Sequence, residues 1–247
     1  MTMDTPQVLG IDIGGTGIKG AIVDVETGAL LCDRIRLLTP QPATPDDVTT
    51  EVVNLVDQTG WKGAIGCGFP SILQHGVVRL ASNISQEWIG RNVPETFAAA
   101  TGCDVSVIND ADAAGLAEVR FGAAKGVRGV VLVVTLGTGI GSALFIDGKL
   151  VPNTEFGHLE IDGRSAERWA ASVVREREGL SWKKWAKRVD DVLKRMEFYL
   201  SPDLIVVGGG ASKRHDKFLP RLTVDTEVVP AKLRNAAGLV GAAASAL

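Results

Sequence analysis

A tight glycine turn between two apolar runs, met twice, constrains this chain more than any other feature. Val8-Leu9-Gly10-Ile11-Asp12-Ile13 runs into Gly14-Gly15-Thr16-Gly17 and leaves through Ile18-Lys19-Gly20-Ala21-Ile22-Val23. The aliphatic and β-branched residues read as strands and the glycines as the turn joining them. Glycine allows φ > 0 and a close backbone approach to a ligand, so successive N–H groups can converge on an anion. Asp12 is a candidate for holding a cation that bridges phosphate oxygens, and Lys19 for a positive charge beside them. An ordinary glycine hairpin fits the same stretch. Downstream, Gly137-Thr138-Gly139-Ile140 followed by Ala143-Leu144-Phe145-Ile146 repeats Gly15-Thr16-Gly17-Ile18 followed by Ala21-Ile22-Val23, 122 positions later in a chain of 247. Chance likeness of two glycine-rich hairpins is the alternative. Two matched turns at half-length spacing predict an α/β protein of two similar lobes facing each other across a nucleotide cleft.

A dinucleotide-binding reading competes, because Gly15, Gly17 and Gly20 satisfy G-x-G-x-x-G. That fingerprint requires a helix directly after the first glycine. Here a β-rich run follows, then Glu26-Thr27-Gly28 as turn chemistry, then a second β-rich run from Ala29 to Leu38. The pattern is a hairpin, not a βαβ unit.

A chain that is 45% hydrophobic and 22% charged can build a substantial core, and a net charge of −3 gives no global attraction to nucleic acid. Any polyanion site must be a local basic patch. Cys32, Cys67 and Cys103 are widely separated and form no C-x-x-C, which reads as reduced thiols rather than a zinc site or disulfide framework. The first strand starts without a basic, then apolar, leader, and no apolar stretch is long enough to span a bilayer, so a cytoplasmic location is expected.

Periodicity predicts helices over 46–58, 94–101, 111–121, 181–200 and 235–247, and strands over 63–69, 77–80, 105–108 and 204–207. In the helix over 181–200, Trp185, Val189, Val192, Met196 and Tyr199 mark the buried stripe. The stretch from Ser82 to Trp88 reads as a loop whose amides and indole could wall a polar ligand. Asn109-Asp110 stands where a strand's carboxyl end meets a helix N-terminus, the edge at which α/β proteins collect ligands. Capping is the expected job of Asn109, whereas for Asp110 capping and ligand work both stand. Glu155 and His158, three apart across a glycine, suit the fixing of neighbouring hydroxyls. Gly208-Gly209-Gly210 ends a buried-type strand as a third phosphate- or base-approach turn. Lys183, Lys184, Lys187, Lys213 and Arg214 form basic stretches, by default a solvated face.

Taken together in this order, Ile11-Asp12-Ile13-Gly14-Gly15-Thr16, Asn109-Asp110, Gly137-Thr138-Gly139-Ile140-Gly141, Glu155-Phe156-Gly157-His158 and Gly208-Gly209-Gly210 resemble the ROK (repressor, open reading frame, kinase) family of the actin/hexokinase/Hsp70-like ATPase superfamily. Within it the chain is similar to the polyphosphate-using glucokinases, through Ser82 to Gly90, Asn153 to Gly163, Trp182 to Lys187 and Val228 to Ala243. The resemblance implies a two-lobed actin-like (ribonuclease H-like) fold, with lobes over 1–109 and 110–247 and the last helix returning to the first lobe. It implies phosphoryl transfer from inorganic polyphosphate, and/or ATP, to the 6-hydroxyl of glucose. Asp110 would be the general base. Asn83, Asn109, Glu155, His158 and Glu167 would bind the sugar. Asp12, Gly14, Gly15, Thr16, Lys19, Gly137, Thr138, Gly139, Gly209 and Gly210 would hold the donor, with Mg²⁺ at Asp12 through water. The basic stretches become a polyphosphate track, and a homodimer is implied.

Most of the family carries a cysteine-rich zinc motif between the Gly-His pair and the glutamate, whereas Ile161 to Glu167 has no cysteine, so no zinc is expected. The seven residues before Val8 leave no room for the helix-turn-helix of the family's repressors. An ATP-dependent kinase of mannose or an N-acetyl hexosamine is the alternative enzyme, and a non-catalytic sugar sensor the alternative of another class.

Overall fold

The computed structural model describes residues 6–81 and 84–247. The chain divides into two compact units, residues 1–117 with 236–247 and residues 118–235. The division falls inside a helix rather than at residue 110.

In the first unit, β1 (Gln7–Gly14) turns through Gly15 and Thr16 into β2 (Gly17–Asp24), and β3 (Ile35–Leu37) follows. Of the second β-rich run only this short piece forms a strand; Leu30 adds one isolated bridge to Val23. α1 (Pro45–Thr59) starts on Thr44, whose hydroxyl accepts the Asp47 N–H, and ends on Gly60 in the left-handed region at φ 61°. Then come β4 (Ile65–Phe69), the small pair β5 (Ile72–Gln74) and β6 (Val77–Leu80), α2 (Val93–Thr101), β7 (Val105–Asn109) and α3 (Asp110–Arg120). The sheet order is β3-β2-β1-β4-β7, with β1, β4 and β7 parallel and β2 and β3 antiparallel to their neighbours. The carboxyl ends of β1, β4 and β7 therefore share one edge.

The second unit holds β8 (Val130–Leu136), β9 (Ile140–Ile146), β10 (Lys149–Val151), the short pair β11 (Glu160–Ile161) and β12 (Arg164–Ser165), α4 (Ala166–Ala170), α5 (Ser172–Arg177), α6 (Trp182–Leu200), β13 (Leu204–Gly208) and β14 (Val228–Pro230). Its main sheet runs β10-β9-β8-β13-β14, again a three-strand antiparallel run continued by two parallel strands. The two units thus repeat one topology, and the two matched glycine turns occupy the same connection in each. The last helix, α7 (Ala237–Ala244), belongs to the first unit and lies on β1 and β4. Gly10 and Gly66 permit that approach, since a Cβ at either would strike a backbone carbonyl of α7.

Each unit has its own core. The first is built on Leu9, Ile11, Val48, Val52, Phe69, Trp88 and Phe97, the second on Leu132, Val134, Trp185, Val189, Met196, Ile205 and Phe218. Trp88 is thus not a ligand wall. Its ring lies 4.9 Å from that of Phe69, and its indole N–H donates to the Ala43 carbonyl at 3.1 Å. Burial of so large a ring outweighs the polarity of its neighbours in sequence. The stripe of α6 is also corrected at its end. Tyr199 is exposed, because at 3.6 residues per turn the buried arc is centred nearer Val189 and Leu193 and passes through Leu200 at this end of the helix. Among the described residues no helix is long and apolar enough to cross a membrane.

Candidate active site

In the first unit, Asp12 is the third-last residue of β1, and Lys19 is its direct partner on β2. The Lys19 ammonium donates to the Asp12 carboxylate at 2.7 Å. Gly15 and Thr16 are exposed at the turn, where a Cβ on Gly15 would meet nothing within 4 Å. The turn is held from outside: the Thr39 hydroxyl donates to the Gly14 carbonyl at 2.5 Å, and the Gln41 amide to that of Gly15 at 3.2 Å. None of these glycines takes a left-handed backbone, and Gly17 is the one that sits against the neighbouring strand β3. Gly14, Gly15 and Gly17 are absent from the residues with positive φ, and a Cβ on Gly17 would lie 2.8 Å from the Arg36 side chain. Gly238, in the first turn of α7, faces Asp12, its Cβ position 3.1 Å from the carboxylate carbon.

Asn109 ends β7 and caps α3. Its side-chain oxygen accepts the N–H groups of Ala111 at 2.8 Å and Asp112 at 3.0 Å, while its amide donates to the Ser71 carbonyl at 3.2 Å. With the cap already supplied, the half-buried Asp110 carboxylate is not needed for it, although Oδ1 accepts the Ala111 N–H at 2.9 Å. Asp12 aligns with Gly68 on β4, and Gly68 with Ile108 on β7. At about 4.8 Å per strand, Asp12 and the β7–α3 junction lie about 10 Å apart along one sheet edge. Asn83 lies outside the described residues.

In the second unit the turn over 137–139 joins β8 to β9, closed by the Gly137 N–H on the Gly139 carbonyl at 3.0 Å. A Cβ on Gly139 would lie 2.8 Å from a carboxylate oxygen of Glu167, so this glutamate borders the turn. Glu155 and His158 lie 4.0 Å apart. Burial pushes the Glu155 carboxyl above its ordinary range; His158 pulls it back and the Glu167 charge raises it further. The sequence pairs of interest therefore form one group here: Glu155, His158 and Glu167 beside Gly139. The segment that carries Glu155 is positioned by Ser142, a residue with no motif or spacing to mark it in the chain. Its buried hydroxyl donates to the Thr154 carbonyl at 2.5 Å and accepts the Phe156 N–H at 2.9 Å, tying the 154–156 segment to β9.

The third glycine turn follows β13. Gly209 has φ 74°, and its Cβ position falls 2.6 Å from the Leu136 carbonyl oxygen, so a side chain is excluded twice over. Gly208 pairs with Thr135, which places the turn beside that of 137–139. Lys183, Lys184 and Lys187 are exposed on the first turns of α6, and Lys213 and Arg214 are exposed after the glycines. Among the described residues no group of three or more His, Cys, Asp or Glu is arranged to hold a metal ion.

The ROK family model matches residues 8–178. The chain belongs to the ROK family. This ROK chain is 53% identical over 235 residues to a polyphosphate glucokinase of Mycobacterium tuberculosis, covering 95% of itself and 89% of that protein. It superposes on the inorganic polyphosphate/ATP-glucomannokinase of Arthrobacter sp. strain KM with a TM-score of 0.92 at 53% identity, covering 96% of each chain. The ROK family glucokinase of Streptomyces griseus, solved with glucose and AMPPNP, shares the fold at a TM-score of 0.83 and 24% identity, over 96% of this chain and 98% of that one. The fold is the actin-like one of the ROK sugar kinases.

Proposed function

We propose that this chain is a glucokinase that moves the terminal phosphoryl group of inorganic polyphosphate, and of ATP, to the 6-hydroxyl of glucose. The observation that carries the reading is the 53% identity, over nearly the whole chain, to proteins that use polyphosphate, with an acid–imidazole–acid group formed in the second unit. Asp110 accepts the proton of the 6-hydroxyl as its oxygen bonds to phosphorus and the bond to the shortened phosphate chain breaks. Asn109, Glu155, His158 and Glu167 hold the other hydroxyls. The turns at 14–16, 137–139 and 209–210, with Lys19, take the donor, and Lys183, Lys184, Lys187, Lys213 and Arg214 guide its far end. Phosphoryl transfer asks for positioning and charge neutralisation above all, which backbone N–H groups and cations supply.

Asp12 fits Mg²⁺ of the kind that arrives with its substrate. It is a single carboxylate, and Mg²⁺ is commonly held by one or two carboxylates together with substrate phosphates and waters. Bound there, the ion would neutralise charge on the donor's phosphoryl oxygens. We further propose that the protein works in the cytoplasm, in keeping with its relatives' metabolic substrates, and as a homodimer, which the family resemblance alone supports.

The test is direct. Purified protein with glucose and Mg²⁺ should yield glucose 6-phosphate from polyphosphate and from ATP. Product from ATP alone would remove the polyphosphate reading, and none from either would leave a sugar sensor. Mannose and N-acetyl hexosamines as acceptors would identify the alternative kinase.

Glu155 gives the sugar site a pH signature. Because its folded pKa lies above the unfolded value, the folded protein takes up that proton first as pH falls. Protonation there adds stability toward acid, since the native state then binds more protons than the unfolded one. It also removes an acceptor for a sugar hydroxyl. The KM for glucose should therefore rise as pH approaches the carboxylate range, and Glu155→Gln should have a high but flatter profile. Parallel profiles for the two proteins would detach Glu155 from the sugar.

A further inference from the structure

The second unit carries an open groove of about 570 Å³ whose lining includes Ser172, Arg175, Trp182, Gly210, Arg214 and Lys217. Gly210 belongs to the third glycine turn, so the groove begins where that turn ends. We infer that this groove takes the distal phosphoryl groups of polyphosphate and selects that donor over a nucleotide. The inference rests on the donor reading above and concerns which part of the donor the groove accepts.

The lining is cationic. Arg175, Arg214 and Lys217 line it with one acid, Glu176, whose side chain is 66% exposed and 3.4 Å from Arg175; Lys217 also pairs with the exposed Asp216 at 3.4 Å, outside the lining. The Arg175 Nε is buried with no hydrogen-bond partner. The aromatic wall is already covered. The Arg175 guanidinium carbon sits 4.2 Å from the Trp182 ring centroid, and the same indole stacks on Phe218 at 6.3 Å and 13°. A nucleobase seeking this indole must displace a guanidinium from it. A phosphate chain needs no stacking surface and gains from each cation, and the planar guanidinium fork suits its oxygens. Lys183, Lys184 and Lys187 are not part of the lining, although the first two follow Trp182 directly in the chain.

The test compares long-chain polyphosphate, tripolyphosphate and ATP as donors to glucose at low and high salt. In Arg214→Gln/Lys217→Gln, which alters two exposed side chains, the KM for long-chain polyphosphate should rise at least about tenfold relative to that for ATP. The shift for tripolyphosphate should be smaller, because it is too short to fill turn and groove together. The salt dependence of the long-chain KM should flatten as well. Arg175→Gln should give the same donor ratio; should it loosen the Trp182 packing instead, the double variant carries the result. Equal rises for ATP and long-chain polyphosphate would overturn the groove assignment. So would a loss seen only in Lys183→Gln/Lys184→Gln/Lys187→Gln. No product from polyphosphate with the unaltered protein would remove the donor reading itself, and the groove assignment with it.

Discussion

Asp110→Asn is expected to lower turnover about 10²–10⁴-fold, the range for losing a positioned general base, while glucose affinity stays within a few-fold. The division of labour proposed for the two residues at the junction makes the expectation sharp. Asn109 already supplies the α3 cap through two backbone N–H groups. The amide of an asparagine at 110 can still accept the Ala111 N–H through its oxygen. What is lost is the capacity to take a proton. An acid in the first turn of a helix is also stabilised as its anion by the helix dipole, which suits a base working at neutral pH. Coupled measurement of glucose 6-phosphate gives turnover, and calorimetry gives glucose binding. Turnover within tenfold of the unaltered enzyme would reduce Asp110 to a second cap.

Gly157→Ala is expected to weaken glucose binding about 100-fold, the scale of a misplacement of about 1 Å at a site. Gly157 is buried between Glu155 and His158, and a Cβ there would collide with the Ile140 carbonyl, which is backbone and cannot rotate away. The 154–158 segment must then lift from β9, against the hold of the Ser142 hydroxyl on Thr154 and Phe156. Both the carboxylate and the imidazole move with it. Overpacking of this kind also takes roughly 1–3 kcal/mol from stability, so thermal unfolding should shift modestly while glucose titration fails. A variant with unaltered KM for glucose would show that the segment tolerates the shift, and that the Glu155–His158 geometry is not what binds sugar.

The repeated glycine turn was legible because it is local chemistry. Apolar runs on either side and small residues between them leave few alternatives, and both copies fall in the same place in sheets of the same order. The helices over 46–58 and 181–200 were legible from their periodicity and match α1 and α6, whereas α4 and α5 are too short to show a period. Asp110 and the Glu155–His158 pair could be named because a strand end and a polar segment bracket them in the chain.

The reasons why those residues hold their places were settled in three dimensions. Trp88 went to the core because several distant residues made an apolar space for it, which no window of sequence contains. Gly17 of the first turn lies against the Arg36 side chain and is not there for a positive φ, a fact about a neighbour on another strand. Ser142 ties down the 154–156 segment, and Arg175 covers Trp182, through contacts between elements that sequence spacing does not relate. By itself, then, the sequence determined the strand–turn–strand units and the residue types at the site, since these follow from near neighbours along the backbone. Tertiary packing alone decided which side chains are spent on structure and which remain for a ligand, because burial and hydrogen-bond partners come from elements distant in the chain.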